Sequence, residues 1–174
     1  SNFNTKNVNT ETTSTSFYMF NQCYKLKKIT FGSNCTFEKL QTMKSMFSGC
    51  YELEELDLSY FNPTAVVNAD NMFSNCYKLK NLDLSTFVCS NLTSTQNMFQ
   101  GCHSLETVDL SNFNPINVTT MYRMFAFCNN LVTIFAGDDF VCKDSSVNVT
   151  DMFKEDTKLV GGRGTAYADN TSYN

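Results

Sequence analysis

Hydrophobic residues recur along this chain with a period of roughly 26 residues, which lies in the range of known tandem repeats. A Met-Phe pair occurs six times at this spacing. The pairs are Met19-Phe20, Met46-Phe47, Met72-Phe73, Met98-Phe99, Met124-Phe125 and Met152-Phe153. A leucine follows the phenylalanine by six residues in every copy, and a cysteine follows it by three residues in five copies. A regular period of this kind indicates structural repeats that stack on one another.

Each repeat is predicted to contain a helical turn, a short strand and a return loop. Met72, Phe73 and Cys76 have the spacing of one face of a helical turn. The segment 79–84 reads L-K-N-L-D-L, an alternation that predicts a strand with its second and third leucines inward and the residues between them outward. Phenylalanines three residues after this alternation are expected to fill the corner of the loop: Phe61, Phe87 and Phe113.

These elements predict an α/β repeat solenoid of the leucine-rich-repeat type. A short parallel β-sheet is expected on one face and short helices on the other, within one domain over residues 1–174. The predicted repeats are 1–31, 32–58, 59–84, 85–110, 111–136 and 137–162, followed by a C-terminal tail or cap at 163–174. Residues 1–4 match 111–114, which follow a strand, so we expect the chain to begin just after a strand and to continue upstream.

The repeat motif resembles that of the BspA-like leucine-rich-repeat surface proteins, in the bacterial surface protein branch whose repeats have this length. The pattern L-S-N-F-N-x-x-N-V-T-x-M-x-x-M-F-x-x-C is nearly intact from Leu110 to Cys128, and segment 159–167 is similar to the end of such arrays. The resemblance implies a secreted or cell-wall-linked protein with a role in adhesion or host-surface interaction. It implies no catalytic residues.

Charge and hydropathy narrow the choice of partners. The chain has 13 basic and 17 acidic residues, a formal net charge of −4 and a pI near 4.9. Without a clustered basic stripe, an acidic chain is not expected to bind nucleic acid. No run of 18 apolar residues occurs, so this segment is not expected to insert into a membrane.

The eight cysteines are predicted to be free thiols. Five occupy the ladder position three residues after the stacked phenylalanine: Cys23, Cys50, Cys76, Cys102 and Cys128. Their Cβ vectors would run parallel, which is poor geometry for a disulfide. Cys35, Cys89 and Cys142 are assigned to return loops two units apart, about 10 Å from one another and beyond bridging distance.

No motif for catalysis, a cofactor or a metal is present, so the chain is not expected to be an enzyme. There is no C-x-x-C pair, and His103 is the only histidine, with no ligand partner at zinc-finger spacing. It is expected to lack a group that would orient it as a base. The Met-Phe pairs are interpreted as core and not as a ligand groove.

Two outward columns are the candidate binding residues. Asp57, Asp83 and Asp109 share one strand position, where each carboxylate either accepts hydrogen bonds from its own turn or binds a cation or a basic partner. The column Tyr24, Tyr51 and Tyr77, whose position His103 takes in the next repeat, is either ordinary surface or a recognition surface.

The sequence therefore predicts an extracellular, cell-surface binding module. Its expected partner is a protein or glycan at a host or neighbouring cell surface, recognised in the manner of an adhesin. The alternative is a structural stalk or spacer in a larger surface protein.

Overall fold

A computed structural model describes residues 2–4, 18–33, 35, 37–138, 140–142 and 144–159 of the chain. Six short strands follow one another: β1 (Asn2–Asn4), β2 (Lys28–Thr30), β3 (Glu55–Asp57), β4 (Asn81–Asp83), β5 (Thr107–Leu110) and β6 (Thr133–Ala136). All pairings are parallel, as expected when each repeat contributes one strand and returns to the same edge.

The strand register places each repeat position beside its equivalent in the next repeat. Ile29 is paired with Leu56, and Val108 lies between Leu82 and Ile134. In β2 and β4 the middle residue is buried and the residue before it is exposed. The five strands predicted from alternating apolar residues, and their stacked columns, are confirmed.

The expectation that residues 1–4 follow a strand is wrong, because Asn2–Asn4 themselves form strand β1. Phe3 pairs with Ile29 inside the sheet, so it does not occupy the corner position that follows a strand. The sequence N-F-N alternates polar and apolar residues, and it can therefore extend the unpaired edge of β2 as well as it can form a loop.

The sheet is interrupted in the middle. β1, β2 and β3 form one three-stranded sheet, and β4, β5 and β6 form another. The Glu54 amide donates to Lys27 and the Glu106 amide donates to Lys80, but among the described residues no strand ladder joins β3 to β4. Leu56 in β3 is consequently only half-buried, whereas its equivalent Leu82 is 2% exposed.

The prediction of short helices opposite the sheet is wrong, because no helix occurs in the described part of the chain. The Met-Phe segment forms successive turns instead. The amides of Met72, Ser74 and Cys76 donate to carbonyls three residues earlier, at 3.1–3.2 Å. The amides of Asn71 and Phe73 donate to the next repeat, each at 2.8 Å. An α-helix cannot form when alternate amides are bonded to another repeat.

Left-handed backbone at two positions per repeat shapes these turns. φ lies between +52° and +74° two residues before and two residues after each stacked phenylalanine. These positions hold Tyr18, Gln22, Ser45, Gly49, Asn71, Asn75, Asn97, Gly101, Arg123, Phe127, Asp151 and Glu155. Glycine and asparagine, which tolerate positive φ best, occupy five of them and were the sequence signal against a helix.

The turn segments form a ladder that continues across the sheet interruption. Parallel bridges link Thr42, Asn68, Ser94, Thr120 and Asn148 in succession. Beside them runs a phenylalanine stack, with ring centroids 5.0–5.5 Å apart and interplanar angles of 2–12°. The stack comprises Phe20, Phe47, Phe73, Phe99, Phe125 and Phe153. The six Met-Phe pairs therefore align in one row.

The Met-Phe pairs are core residues in the central repeats, as predicted. Both members are fully buried from Met46-Phe47 to Met124-Phe125. At the ends of the described array, Met19 is 39% exposed and Met152 and Phe153 are partly buried. The difference arises because a solenoid unit is covered by its two neighbours.

The ladder cysteines add a second link between repeats. The Cys50 thiol donates to the Phe20 carbonyl at 3.1 Å, and the Cys76 thiol donates to the Phe47 carbonyl at 3.3 Å. Cys102 and Cys128 repeat this contact, each at 3.1 Å from the phenylalanine carbonyl of the preceding repeat. All eight cysteines are unbridged in the structure.

Repeat two exchanges phenylalanine and cysteine at the loop corner. The Phe61 amide donates to the carbonyl three residues earlier, and in repeat two Cys35 makes the equivalent bond. Phe37, two residues later, packs on Phe61 with ring centroids 4.6 Å apart. Cys35 is therefore a corner residue and not the return-loop equivalent of Cys89. The exchange conserves the total side-chain volume of the corner.

The predicted bounds of the first and last repeats stay predictions, because parts of both repeats lie outside the described residues. Segment 160–162 of the sixth repeat and the tail 163–174 lie outside the described residues.

Candidate binding surface

The aspartates of the strand-face column bind their own turns. Oδ1 of Asp83 accepts the Ser85 amide at 2.8 Å, and Asp57 and Asp109 accept the amides two residues later at 3.0 and 2.8 Å. Hydrogen bonds from the Ser85 hydroxyl and amide lower the pKa of Asp83. These are the hydrogen bonds that the local interpretation predicted, while binding of a cation or a basic partner stays a prediction. The first role of these carboxylates is to stabilise the turn that ends each strand.

The aspartate column is also divided by the sheet interruption. Asp83 and Asp109 are direct partners in the β4–β5 pair, whereas Asp57 belongs to the other sheet, where its partner is Thr30. In the described part of the chain, no three His, Cys, Asp or Glu side chains converge as metal ligands would.

The tyrosine column forms a stack of exposed rings. Centroids of Tyr24 and Tyr51 lie 4.8 Å apart, and those of Tyr51 and Tyr77 lie 4.6 Å apart at an angle of 12°. The rings are 36–44% exposed. Burial, followed by the neighbouring Tyr51, raises the pKa of the Tyr77 hydroxyl. The structure thus brings all three predicted tyrosines together, with their faces turned to one another and their edges toward solvent.

His103 is the fourth ring of this stack, 5.2 Å from Tyr77. Its Nδ1 lies 3.0 Å from the Phe127 carbonyl and 3.1 Å from Oδ1 of Asn129. Because a carbonyl oxygen only accepts, Nδ1 carries the hydrogen and donates it. The expectation that His103 lacks an orienting partner is therefore wrong. We call Tyr24, Tyr51, Tyr77 and His103 the aromatic ridge.

Charged columns beside the ridge were not predicted. Residues two after the ladder cysteines alternate in sign as Lys25, Glu52 and Lys78, and Lys78 contacts Glu52 at 2.6 Å. This hydrogen bond lowers the pKa of Glu52 and raises that of Lys78. A second column alternates as Lys27, Glu54, Lys80 and Glu106. The alternation at the repeat period was the available sequence signal.

A groove opens on the strand face where the sheet is interrupted. Its volume is about 490 Å³. Lysine, acidic and apolar side chains line it together: Lys28, Glu54, Glu55, Leu56, Asp57 and Lys80. Lys28 forms an ion pair with Glu55 in this wall. Asp57 is the one predicted site residue that the groove includes.

The buried thiols are poor nucleophiles and poor metal ligands. Burial raises the pKa of Cys50 and of Cys102 to about 12, and it raises the pKa of Cys76 well above its usual value. Since the thiolate is the reactive form, these side chains serve packing and the contacts between repeats.

Comparison with known families decides the affiliation of this repeat. The family model described as "Mycoplasma protein of unknown function, DUF285" matches residues 1–108 and 41–162. The chain belongs to the DUF285 family. No curated protein sequence matches it.

Solved structures similar to this DUF285 chain are leucine-rich-repeat proteins. The Treponema pallidum leucine-rich-repeat protein has a TM-score of 0.40 and 17% identity, over 72% of this chain and 62% of that one. A leucine-rich cell surface protein from Faecalibacterium prausnitzii has a TM-score of 0.38 and 19% identity, over 67% and 34%. A Bacteroides ovatus leucine-rich-repeat protein scores 0.20 at 15% identity, over 83% and 68%.

The DUF285 chain spans about three-fifths of the length of the Treponema protein and one third of the Faecalibacterium protein. Among the residues that the structure describes, no helix has the length and apolarity to cross a membrane.

Proposed function

We propose that this DUF285 repeat array is a binding module of a cell-surface protein. It recognises an extracellular protein or glycan in the manner of an adhesin. The observation that carries the proposal is the aromatic ridge, whose three tyrosine rings remain 36–44% exposed although they are fixed by mutual stacking. An aromatic surface that is already ordered loses little conformational entropy when it binds a partner.

The ridge determines how the partner is contacted. The inner ring faces are covered by their neighbours, so ring edges and tyrosine hydroxyls make the contacts. Hydroxyls and ring edges provide hydrogen bonds and weakly positive C–H groups, both of which suit sugar hydroxyls and backbone carbonyls. The groove with Asp57 and the lysines provides a second, charged contact area.

The cell-surface location and the BspA-like affiliation rest on the repeat motif from Leu110 to Cys128. Catalysis and nucleic-acid binding are not part of the proposal. Six of the eight thiols are buried, and the chain has a formal net charge of −4. The hydrogen-bond partners of the His103 ring are a backbone carbonyl and a side-chain amide oxygen, not a carboxylate.

A stalk or spacer is the second candidate, and specific contacts favour it. The aspartates of the strand face bind their own turns, and Lys78 and Glu52 neutralise one another. Each of these contacts stabilises the array without a partner. A spacer would therefore display the same surface and bind nothing.

The two candidates are separated by binding measurements on the purified chain. Glycan arrays and a panel of purified extracellular proteins are the probes. The double variant Tyr51→Ala/Tyr77→Ala removes the centre of the ridge. Tyr60→Ala is the matched control, because Tyr60 is 51% exposed and lies outside the ridge. Circular dichroism confirms that each variant is folded.

The binding module predicts at least one reproducible ligand, at least tenfold weaker binding by the double variant, and unchanged binding by Tyr60→Ala. Equal binding by the parent and the double variant contradicts the role of the ridge. Absence of binding to every probe favours the spacer.

The aspartates are tested with the triple variant Asp57→Asn/Asp83→Asn/Asp109→Asn. Each asparagine keeps an oxygen that can accept the amide hydrogen bond. If a cation uses these carboxylates, calcium raises the melting temperature of the parent and not of the variant. An unchanged melting temperature of the parent restricts the aspartates to their structural role.

A further inference from the structure

Asp156 occupies the ladder position that cysteine holds in the other five repeats. Its side chain is completely buried. Oδ1 accepts the Cys128 amide at 2.7 Å, whereas Oδ2 is buried and has no hydrogen-bond partner among the described residues. A buried carboxylate oxygen without a donor is costly, because ionised oxygens lose their hydration on burial.

The Phe125 carbonyl lacks the thiol hydrogen bond that the equivalent carbonyls of the earlier repeats accept. Four stacked phenylalanine carbonyls, from Phe20 to Phe99, accept both an amide of their own repeat and a thiol of the next repeat. The Phe125 carbonyl accepts the Cys128 amide at 3.1 Å, but the following repeat has no cysteine at the ladder position whose thiol could donate to it. Asp156 stands where that thiol would be.

We propose that Asp156 holds a proton in the folded protein. This proton completes the row of hydrogen bonds that link each stacked phenylalanine carbonyl to the next repeat. The protonated Oδ2 donates to the Phe125 carbonyl, as the four thiols donate to the carbonyls before it. A single proton removes the charge of the carboxylate and supplies the donor that the carbonyl lacks. When Asp156 ionises, the last described turn is held less tightly on the repeat before it.

The surroundings favour the neutral form of Asp156. Burial raises its pKa from 3.8 to about 7, the Cys128 amide partly opposes this, and the charge of Glu155 adds to it. Asp151 is engaged by Arg123 and Lys154, and Lys158 donates to Asn130. The described titratable groups of the two packed turn segments, besides Asp156, are Tyr122, Arg123, Cys128, Asp151, Lys154, Glu155 and Lys158.

The sign of the pH dependence follows from the raised pKa. Between pH 4 and pH 7 the folded protein binds a proton that the unfolded chain has released. The stabilisation is present at low pH and is lost as the pH rises toward 7. The equilibrium constant for local unfolding of the last described turn therefore rises by up to about tenfold per pH unit in this range. It levels off above pH 7.

Two variants separate proton binding from folding. Asp156→Asn has a similar shape, cannot ionise, and carries amide hydrogens that can replace the proton. Asp156→Cys restores the thiol of the other repeats. Glu155→Gln is the matched control, because it removes the adjacent exposed carboxylate and leaves Asp156 in place.

Two measurements test the proposal. Carboxyl-carbon NMR gives the titration midpoint of Asp156, which is expected near pH 7. Hydrogen exchange of the Cys128 amide, corrected for intrinsic rates, is expected to lose about 50-fold protection from pH 5 to pH 7 in the parent, and somewhat less in Glu155→Gln, where the missing charge lowers the midpoint. Protection is expected to be independent of pH in Asp156→Asn and Asp156→Cys.

A midpoint near pH 4 overturns the proposal. Undiminished pH dependence in both Asp156 variants overturns it as well. If one variant fails to fold, the other variant and the NMR midpoint of the parent still decide the outcome.

Discussion

The two long faces of this array are built differently. On the strand face each repeat contributes only three or four residues, and the ladder stops between β3 and β4. On the turn face, bridges, amide bonds and the phenylalanine stack continue past that junction. Phe47 and Phe73 remain 5.5 Å apart and nearly parallel at the level where the sheet is open.

This difference shows which face holds the repeats in order. A unit of a solenoid is stabilised mainly by its interfaces with the units beside it. Where one face is open, the other must supply the interface energy. The turn face, with its buried rings and inter-repeat amide bonds, therefore sets the coupling between repeats. The strand face is left more free to vary its side chains.

The largest effect is expected from Phe73→Ala, at the centre of the phenylalanine stack. Phe73 is fully buried, with a stacked ring 5.5 Å away on each side. Its truncation leaves a cavity and should cost about 3–5 kcal/mol of unfolding free energy. Urea denaturation followed by circular dichroism measures this loss. A cost below that of truncating a strand leucine would contradict the dominant role of the turn face.

An intermediate effect distinguishes two leucines of the strand face. Leu82→Ala removes a side chain that is 2% exposed and should cost roughly 2–5 kcal/mol. Leu56→Ala removes the half-buried equivalent at the open junction and should cost only about 1–2 kcal/mol. Both are measured by denaturation under the same conditions. Equal costs would show that the junction is closed in solution.

The smallest effect concerns two glycines of the turn face. Gly49 and Gly101 have φ of +74° and +73°, so alanine at either should cost about 1–2 kcal/mol of backbone strain. A Cβ at residue 101 would also lie 2.5 Å from Oδ1 of Asn75, whereas at residue 49 its nearest contacts are 3.5 Å away. Gly101→Ala should therefore lower the melting temperature more than Gly49→Ala. The reverse order would mean that the Asn75 amide rotates away without cost.

Sequence reasoning succeeded for the features that depend only on the pattern within one repeat. The alternation L-x-L identified the strands and their inward residues, and the Met-Phe spacing identified the buried rings. It failed for the helices, because Met72, Phe73 and Cys76 have a spacing that suits a helical turn and a series of tight turns equally. Asn71, Asn75 and Gly101 carried the missing information, since they favour positive φ.

For the candidate binding surface, the sequence predicted which residues share a column, but not the groove or the partners of His103. Asp83 lies beside Asp109 and the three tyrosines stack, because equivalent positions of adjacent repeats are neighbours, but Asp57 belongs to the other sheet. The groove could not be predicted, because E-L-D in β3 and N-L-D in β4 have the same polar pattern as paired strands. The carbonyl that binds His103 belongs to the next repeat, at Phe127, and its distance from the ring depends on how the two repeats pack.

The sequence by itself determined the period, five of the six described strands and the identity of the core, because burial alternates within each repeat and recurs in every copy. Only the tertiary structure decided which amides bond within a repeat, where the sheet opens, and that the buried Asp156 accepts the Cys128 amide. The physical reason is that these partners belong to different repeats and lie about one full period apart in the chain. The geometry of these contacts depends on how one repeat packs against the next.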